Sequence, residues 1–192
     1  MAVIFITGPV RSGKSRFAEN LARESGLSVS YLATAARDPL DPEWTQRIER
    51  HARDRPQHWR TIETEAMDRV SLERYLREAE ADRCLLLDAV GTWLAVQIAA
   101  RAADLETEYA RVQEELDRIA RELVLAICAS EARTIVVCEQ VGWDVVPIAA
   151  SARLFRDVLG RMGQHLAGMS ERAYLVVAGY AVDLRSVGVR VS

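Results

Sequence analysis

The chain has 192 residues, of which 49% are hydrophobic and 28% charged, with a formal net charge of −3. These values suit one ordinary globular domain spanning 1–192 with a core of its own, and exclude a disordered or collagen-like chain. The slight acidity excludes a broad nucleic-acid-binding or membrane-binding face and leaves room for a local basic pocket.

Residues 3–7 (V-I-F-I-T) form an apolar, β-branched run that predicts a strand. Gly8-Pro9-Val10-Arg11-Ser12-Gly13-Lys14-Ser15 follows at once, the pattern G-x-x-x-x-G-K-S, and residues 16–24 predict a helix that closes near Gly26. Strand, glycine turn and helix in that order make a phosphate-binding loop. The glycines let backbone N–H groups turn inward, and the helix start presents free N–H groups and its positive dipole end to the same anion. Lys14 would add charge near the β- and γ-phosphates, and the Ser15 hydroxyl would ligate Mg²⁺.

Residues 29–33, 84–88, 134–138 and 174–178 are further short apolar runs. Runs apolar on both sides suit parallel strands covered by helices on both faces. Helical periodicity marks 68–80, 105–128 (Tyr109, Val112, Leu116, Ile119, Leu123, Ile127) and 150–167 (Leu154, Phe155, Val158, Leu159, Met162, Leu166). The alternation predicts an α/β fold with a doubly wound, mostly parallel sheet of the P-loop NTPase type. Residues 180–191 are rich in β-branched side chains and predict a terminal hairpin or edge strand. Residues 36–64 stand apart: they are polar and hold Pro39, Pro42 and Pro56, three of the five prolines. A long polar excursion within a compact domain is read as a lid-like binding element.

Cys84, Cys128 and Cys138 have no metal-ligand spacing, and an odd count precludes a complete disulfide framework. They are read as small buried hydrophobes in a reducing cytosol. Residues 2–6 lack the features of a signal peptide, and no apolar run has the length of a membrane span, so a cytoplasmic location is expected.

Asp88 ends an apolar strand. There it would bind Mg²⁺ directly or through water; as a plain structural feature it would cap the helix that follows. His51 lies in a polar helix among Arg47, Arg50, Arg53 and Arg55. Such cations suit a polyphosphate and favour the neutral imidazole, which can attack phosphorus. His58, before Trp59 at a strand start, and His165 are read as structural. Glu63 at a strand end is either an exposed acid or a reader of a base or ribose hydroxyl. Arg153, Arg156, Arg161 and Asp157 form either a charged outer helix face or a phosphate-facing one. Gly142 marks a turn at the carboxyl edge of the sheet, where ligands of open α/β folds bind.

Taken together, G-x-x-R-S-G-K-S, Y-L-A-T-A at 31–35, R-I-x-x-H-x-x-x-R-P-x-x-W-x-T-x-E at 47–63, the strand ending in Asp88 with Thr92-Trp93-Leu94, V-G-x-x-x-V-P at 141–147, F-R-D-x-x-G-R at 155–161 and Y-L-V-V-A-G at 174–179 resemble the bifunctional adenosylcobinamide kinase / adenosylcobinamide-phosphate guanylyltransferases of cobalamin biosynthesis. The likeness runs nearly end to end, and the segment 47–63 is its most specific part. It implies a homotrimer that uses ATP or GTP with Mg²⁺ and takes adenosylcobinamide as substrate. One reaction phosphorylates the aminopropanol hydroxyl. The other moves GMP from GTP to that phosphate through a GMP–histidine intermediate, with His51 at the matching position. It further implies nucleotide contacts at Gly8, Pro9, Val10, Arg11, Ser12, Gly13, Lys14, Ser15, Ala33, Thr34, Ala35, Ala52, Arg53, Asp54, Arg55, Glu63 and Asp88, with Ser15 and Asp88 as metal ligands. The chain departs from the family's usual residues at Pro9 and Val10, at Ala89 and Gly91, at Glu139-Gln140 and at Gly163. Two other readings compete: a guanylyltransferase without kinase activity, and a GTP-binding regulatory protein.

Overall fold

A computed structural model of the chain describes residues 2–35, 40–64 and 67–191. Seven strands form one sheet in the order β3-β2-β4-β5-β1-β6-β7. They are β1 (Ala2–Gly8), β2 (Ser28–Ala33), β3 (Arg60–Glu63), β4 (Arg83–Asp88), β5 (Arg133–Glu139), β6 (Arg172–Val177) and β7 (Tyr180–Asp183). All neighbouring pairs are parallel except β6 and β7, which pair antiparallel. The predicted strands at 3–7, 29–33, 84–88, 134–138 and 174–178 are all present, each within two residues of its expected ends.

Successive strand residues point to opposite faces, so each strand feeds two cores. On one face Phe5, Leu85, Leu87 and Val136 pack under α3 (Arg69–Arg77), α4 (Val90–Ala99), α6 (Tyr109–Ala129) and α7 (Ala150–Met169). On the other, Ile6, Leu86, Ile135 and Val137 meet Ala18 and Ala22 of α1 (Lys14–Glu24), with Trp59 and Tyr31 at the flank. The small α1 alanines let this helix lie close to the strands, which holds the phosphate-loop helix hard against β1, β4 and β5.

The amphipathic helices follow their periodicity: Val112, Leu116, Ile119, Leu123 and Ile127 of α6 are buried, as are Leu154, Val158, Leu159, Met162 and Leu166 of α7. The segment expected to be helical from 105 instead breaks into α5 (Ala102–Leu105) and α6. Within 36–64 the structure places α2 (Pro42–Asp54) and β3; residues 36–39, and the side chains of Arg47 and Asp54, lie outside the described residues. Asp41 caps α2 by accepting from the Trp44 N–H at 2.9 Å, with Pro42 preset in the first turn. The tail beyond 180 forms a hairpin strand for four residues only and then turns into α8 (Leu184–Val187). Ala178 and Gly179, with φ of 51° and 83°, make the tight left-handed turn between β6 and β7.

The three cysteines are free and buried, as expected of small hydrophobes. Arg161 bonds Asp117 of α6 through two nitrogens at 2.9 and 3.0 Å. Arg153 donates to the carbonyls of Pro147 and Ile148, and Arg156 to that of Val145. These arginines therefore tie α7 to α6 and to the loop after β5.

Leu86 sits fully buried mid-way along a central strand. Leu86→Ala is expected to cost about 2–5 kcal/mol of stability, read as a lower midpoint in urea unfolding without a change in slope.

Candidate active site

Gly8 ends β1, and the chain then reverses through Arg11 and Gly13, both left-handed with φ of 59° and 98°. Gly13 starts α1 with no side-chain cap, and the Lys14 N–H makes only a long bond, 3.4 Å, to Ser12 Oγ, so an anion can compete for the first turn of the helix. A side chain at Gly8 would meet the Val176 carbonyl oxygen at 2.3 Å, so only glycine lets the loop close on the sheet here. The loop is tethered twice: Ser12 N donates to the Pro9 carbonyl at 3.3 Å, and Gly179 N, from the β6–β7 turn, donates to the Ser12 carbonyl at 2.9 Å. Pro9 withholds one N–H, as its ring dictates. Lys14 Nζ rests on the Pro9 carbonyl at 3.4 Å, folded over the loop where a triphosphate would lie.

A cleft of about 110 Å³ opens in front of this loop. It gathers Lys14 and Ser15 from α1, Tyr31 and Ala33 from β2 with Ala35 just beyond it, His51 and Ala52 from α2 with Arg55 just past its end, Glu63 from β3, and Asp88 from β4. Trp44, Ile48, Ala89, Thr92 and Glu139 complete it. Of the residues singled out from the sequence, Lys14, Ser15, Ala33, Ala35, His51, Ala52, Arg55, Glu63 and Asp88 thus line one space. Thr34 lies behind it, bonding the Ala89 carbonyl at 2.6 Å. Among the described side chains of the arginine-rich run, Arg55 alone faces the cleft; Arg50 and Arg53 are exposed outside it.

Ser15 Oγ donates to Asp88 Oδ1 at 3.4 Å, and Tyr31 OH donates to Asp88 Oδ2 at 2.8 Å. Burial, then the Asp88 charge, pushes the Tyr31 phenol well above its usual range, so it keeps its proton. The Arg55 guanidinium stacks 3.6 Å over the Tyr31 ring. Its Nε is buried with no hydrogen-bond partner among the described residues, an unsatisfied cationic donor that an incoming anion would meet. The hydroxyl of Ser15 and carboxylate of Asp88 are hard oxygen donors side by side. They fit Mg²⁺, which takes one or two protein oxygens and completes its shell with water and phosphate. Among the described residues no group of three or more His, Cys, Asp or Glu side chains forms a protein-only metal cage.

Glu139, at the end of β5, is a cleft residue that the sequence does not single out as a candidate. Its Oε2 accepts the Gly91 N–H at 3.0 Å, and any side chain at Gly91 would collide with it at 2.1 Å. Burial raises its carboxyl pKa, the nearby Lys14 charge opposing that. Trp44, Ile48, His51, Ala52 and Arg55 are spaced i, i+4, i+7, i+8 and i+11, one face of α2, a pattern that a period search of the polar segment would reveal.

The model of the family described as cobinamide kinase / cobinamide phosphate guanyltransferase matches residues 4–184. The chain belongs to this family. The cobinamide kinase / guanyltransferase relatives agree along nearly their whole length. The bifunctional adenosylcobalamin biosynthesis protein CobP of Pseudomonas aeruginosa is 40% identical over 183 residues, covering 94% of this chain and 95% of its own. The bifunctional adenosylcobalamin biosynthesis proteins CobU of Escherichia coli and Salmonella typhimurium are 34% and 33% identical over 187 residues, covering 95% of this chain and 99% of theirs. Among solved structures, a prototypical ATPase from the type III secretion system of pathogenic bacteria superimposes with a TM-score of 0.53 at 10% identity. This chain is covered to 98% but spans 59% of that ATPase chain, and the likeness shows the P-loop α/β fold alone. No helix among the described residues is long and apolar enough to cross a membrane.

Lys14→Ala removes the point charge of the loop and is expected to weaken triphosphate binding at least tenfold in titration calorimetry, with the fold intact by circular dichroism.

Proposed function

We propose that this protein phosphorylates adenosylcobinamide and then transfers GMP from GTP to the phosphate, through a covalent GMP–His51 intermediate, giving adenosylcobinamide-GDP and pyrophosphate. The observation that carries the reading is the shared cleft: the only histidine among its described lining residues lines the same space as Lys14, Ser15 and Asp88. Family membership supports both half-reactions, since the relatives are named as bifunctional.

His51 is exposed on α2 and lines the cleft. A neutral ring nitrogen attacks the α-phosphorus of GTP. The new N–P bond forms as the bond from that phosphorus to the bridging oxygen breaks, and pyrophosphate departs with the electron pair. Lys14, the free amides of the loop and Arg55 stabilise the growing negative charge. Mg²⁺ held by Ser15 and Asp88 would add charge neutralisation on the phosphates. In the second step an oxygen of adenosylcobinamide phosphate attacks the same phosphorus and frees His51. Glu63, which also lines the cleft, reads the guanine base or ribose in this scheme, and Trp44 and Ile48 supply apolar surface in the same cleft. The kinase half-reaction needs mainly alignment and charge neutralisation of a triphosphate, which the same loop supplies.

The protein is taken to act as a cytoplasmic homotrimer. Trp143, Val145, Val146, Ile148 and Tyr180 are large hydrophobic side chains left exposed on the single chain, which supports burial against further copies. Light scattering should return three times the chain mass of 21.5 kDa; one or two times that mass contradicts the trimer.

Intact-mass spectrometry after incubation with GTP and Mg²⁺ should show a gain of one guanylate, lost on mild acid treatment. His51→Ala should abolish the adduct and leave GTP affinity within about tenfold, since only the nucleophile is removed. An adduct that persists in His51→Ala would place the intermediate elsewhere.

A further inference from the structure

A second cavity, of about 290 Å³, lies beside the active cleft, between the carboxyl ends of β1 and β5 and the helices α7 and α8. Glu139 lines both spaces. The floor is apolar, made by Phe5, Cys138 and Leu159, all buried. The walls are polar. Thr7 Oγ1 donates to Gln140 Oε1 at 3.4 Å, and Gln140 Nε2 donates to the Val141 carbonyl at 3.2 Å. Both are long bonds that a better partner can replace. Gln164 of α7 stands exposed at the rim. Space at the mouth comes from glycine: a Cβ added at Gly160 would meet nothing within 4 Å, and one added at Gly163 would reach only Phe5, at 3.7 Å.

We infer that this cavity is the subsite for the hydroxyl-bearing arm of the phosphoryl acceptor, a short aliphatic alcohol joined through an amide. The inference rests on the kinase reading above. Two features of the cavity suit the arm of the acceptor named above. The carboxamides of Gln140 and Gln164 match an amide over an apolar floor, and Glu139 at the common wall accepts a hydrogen bond from a hydroxyl facing the triphosphate. The volume falls just below the roughly 300–1,000 Å³ of pockets that enclose whole drug-sized ligands. It therefore takes the arm and leaves a macrocycle outside. In the transfer the acceptor oxygen bonds the γ-phosphorus, the bond from that phosphorus to the β,γ-bridging oxygen breaks, the nucleoside diphosphate leaves, and the hydroxyl proton passes to the Glu139 carboxylate.

The test fills the cavity. Gly163→Val adds a side chain whose Cβ would reach only the Phe5 ring, at 3.7 Å, and Gln164→Trp closes the rim from an exposed position. Both variants should raise the KM for adenosylcobinamide in the ATP-dependent phosphorylation at least tenfold, with the KM for ATP unchanged within twofold. Glu139→Gln should lower kcat about a hundredfold with the acceptor KM little changed. Equilibrium dialysis of adenosylcobinamide against each purified variant reads the subsite without catalysis and should show the same tenfold loss for Gly163→Val and Gln164→Trp. If wild-type protein binds adenosylcobinamide but does not phosphorylate it, the kinase reading fails while dialysis still judges the subsite. Acceptor affinity equal to wild type in both filled variants overturns the inference.

Discussion

The register of the parallel strands is the constraint on which the site depends. Gly8 of β1 pairs with Glu139 of β5, Asp88 of β4 with Val137 of β5, and Ala33 of β2 with both Asp88 and Glu63. One edge of the sheet thus delivers a glycine turn, two carboxylates beside it, a backbone carrying Ala33 and Ala35, and a third carboxylate on the outermost strand. A slip of one residue would turn each of these side chains to the opposite face. The hydrophobic alternation that feeds two cores forbids such a slip, so packing energy and site geometry are set by the same pattern.

The two faces of the sheet divide the work. Four helices seal one face and pack into the larger of the two buried clusters. On the other, α1 is the main cover, and its alanines bring its amino end directly to the phosphate loop. The cleft in front of the loop is lined by strand-end residues and by residues of α2, His51 among them. Tyr31 links the layers: it bonds Asp88 through its hydroxyl and carries the Arg55 guanidinium on its ring. The acid beside Ser15 and the segment that follows the His51 helix are therefore coupled through one aromatic side chain.

Much of this is legible in the chain. The phosphate loop is readable because its glycines and lysine answer to backbone geometry and charge, which are local. The buried strands are readable because their runs are apolar and short. The helix α4 is nearly apolar throughout, V-G-T-W-L-A-V-Q-I-A, so its sequence shows no face, and only its place after Asp88 can be read. Tyr31 reads as core because it lies inside an apolar strand; its hydroxyl meets Asp88 only once β2 and β4 pair. In sequence Glu139 shows only as a departure from the family's usual residues; its contact with Gly91, 48 residues away, needs the fold. The arginines around His51 look equivalent in sequence, yet helical geometry turns Arg55 inward and Arg50 and Arg53 out. The arginines of α7 fit two roles in sequence, and contacts with α6 and the loop after β5 resolve them as structural. Residues 36–39, part of the expected lid-like excursion, lie outside the described residues.

The central claim is that a triphosphate held by the glycine loop brings its innermost phosphorus to His51. A crystal structure with Mg²⁺ and a GTP analogue carrying a methylene α,β-bridge tests it most directly. The account predicts a His51 ring nitrogen about 3–3.5 Å from the α-phosphorus, in line with the bridging carbon. Phosphates seated in the loop with that ring turned away, in the same subunit and in every neighbouring one, would contradict it.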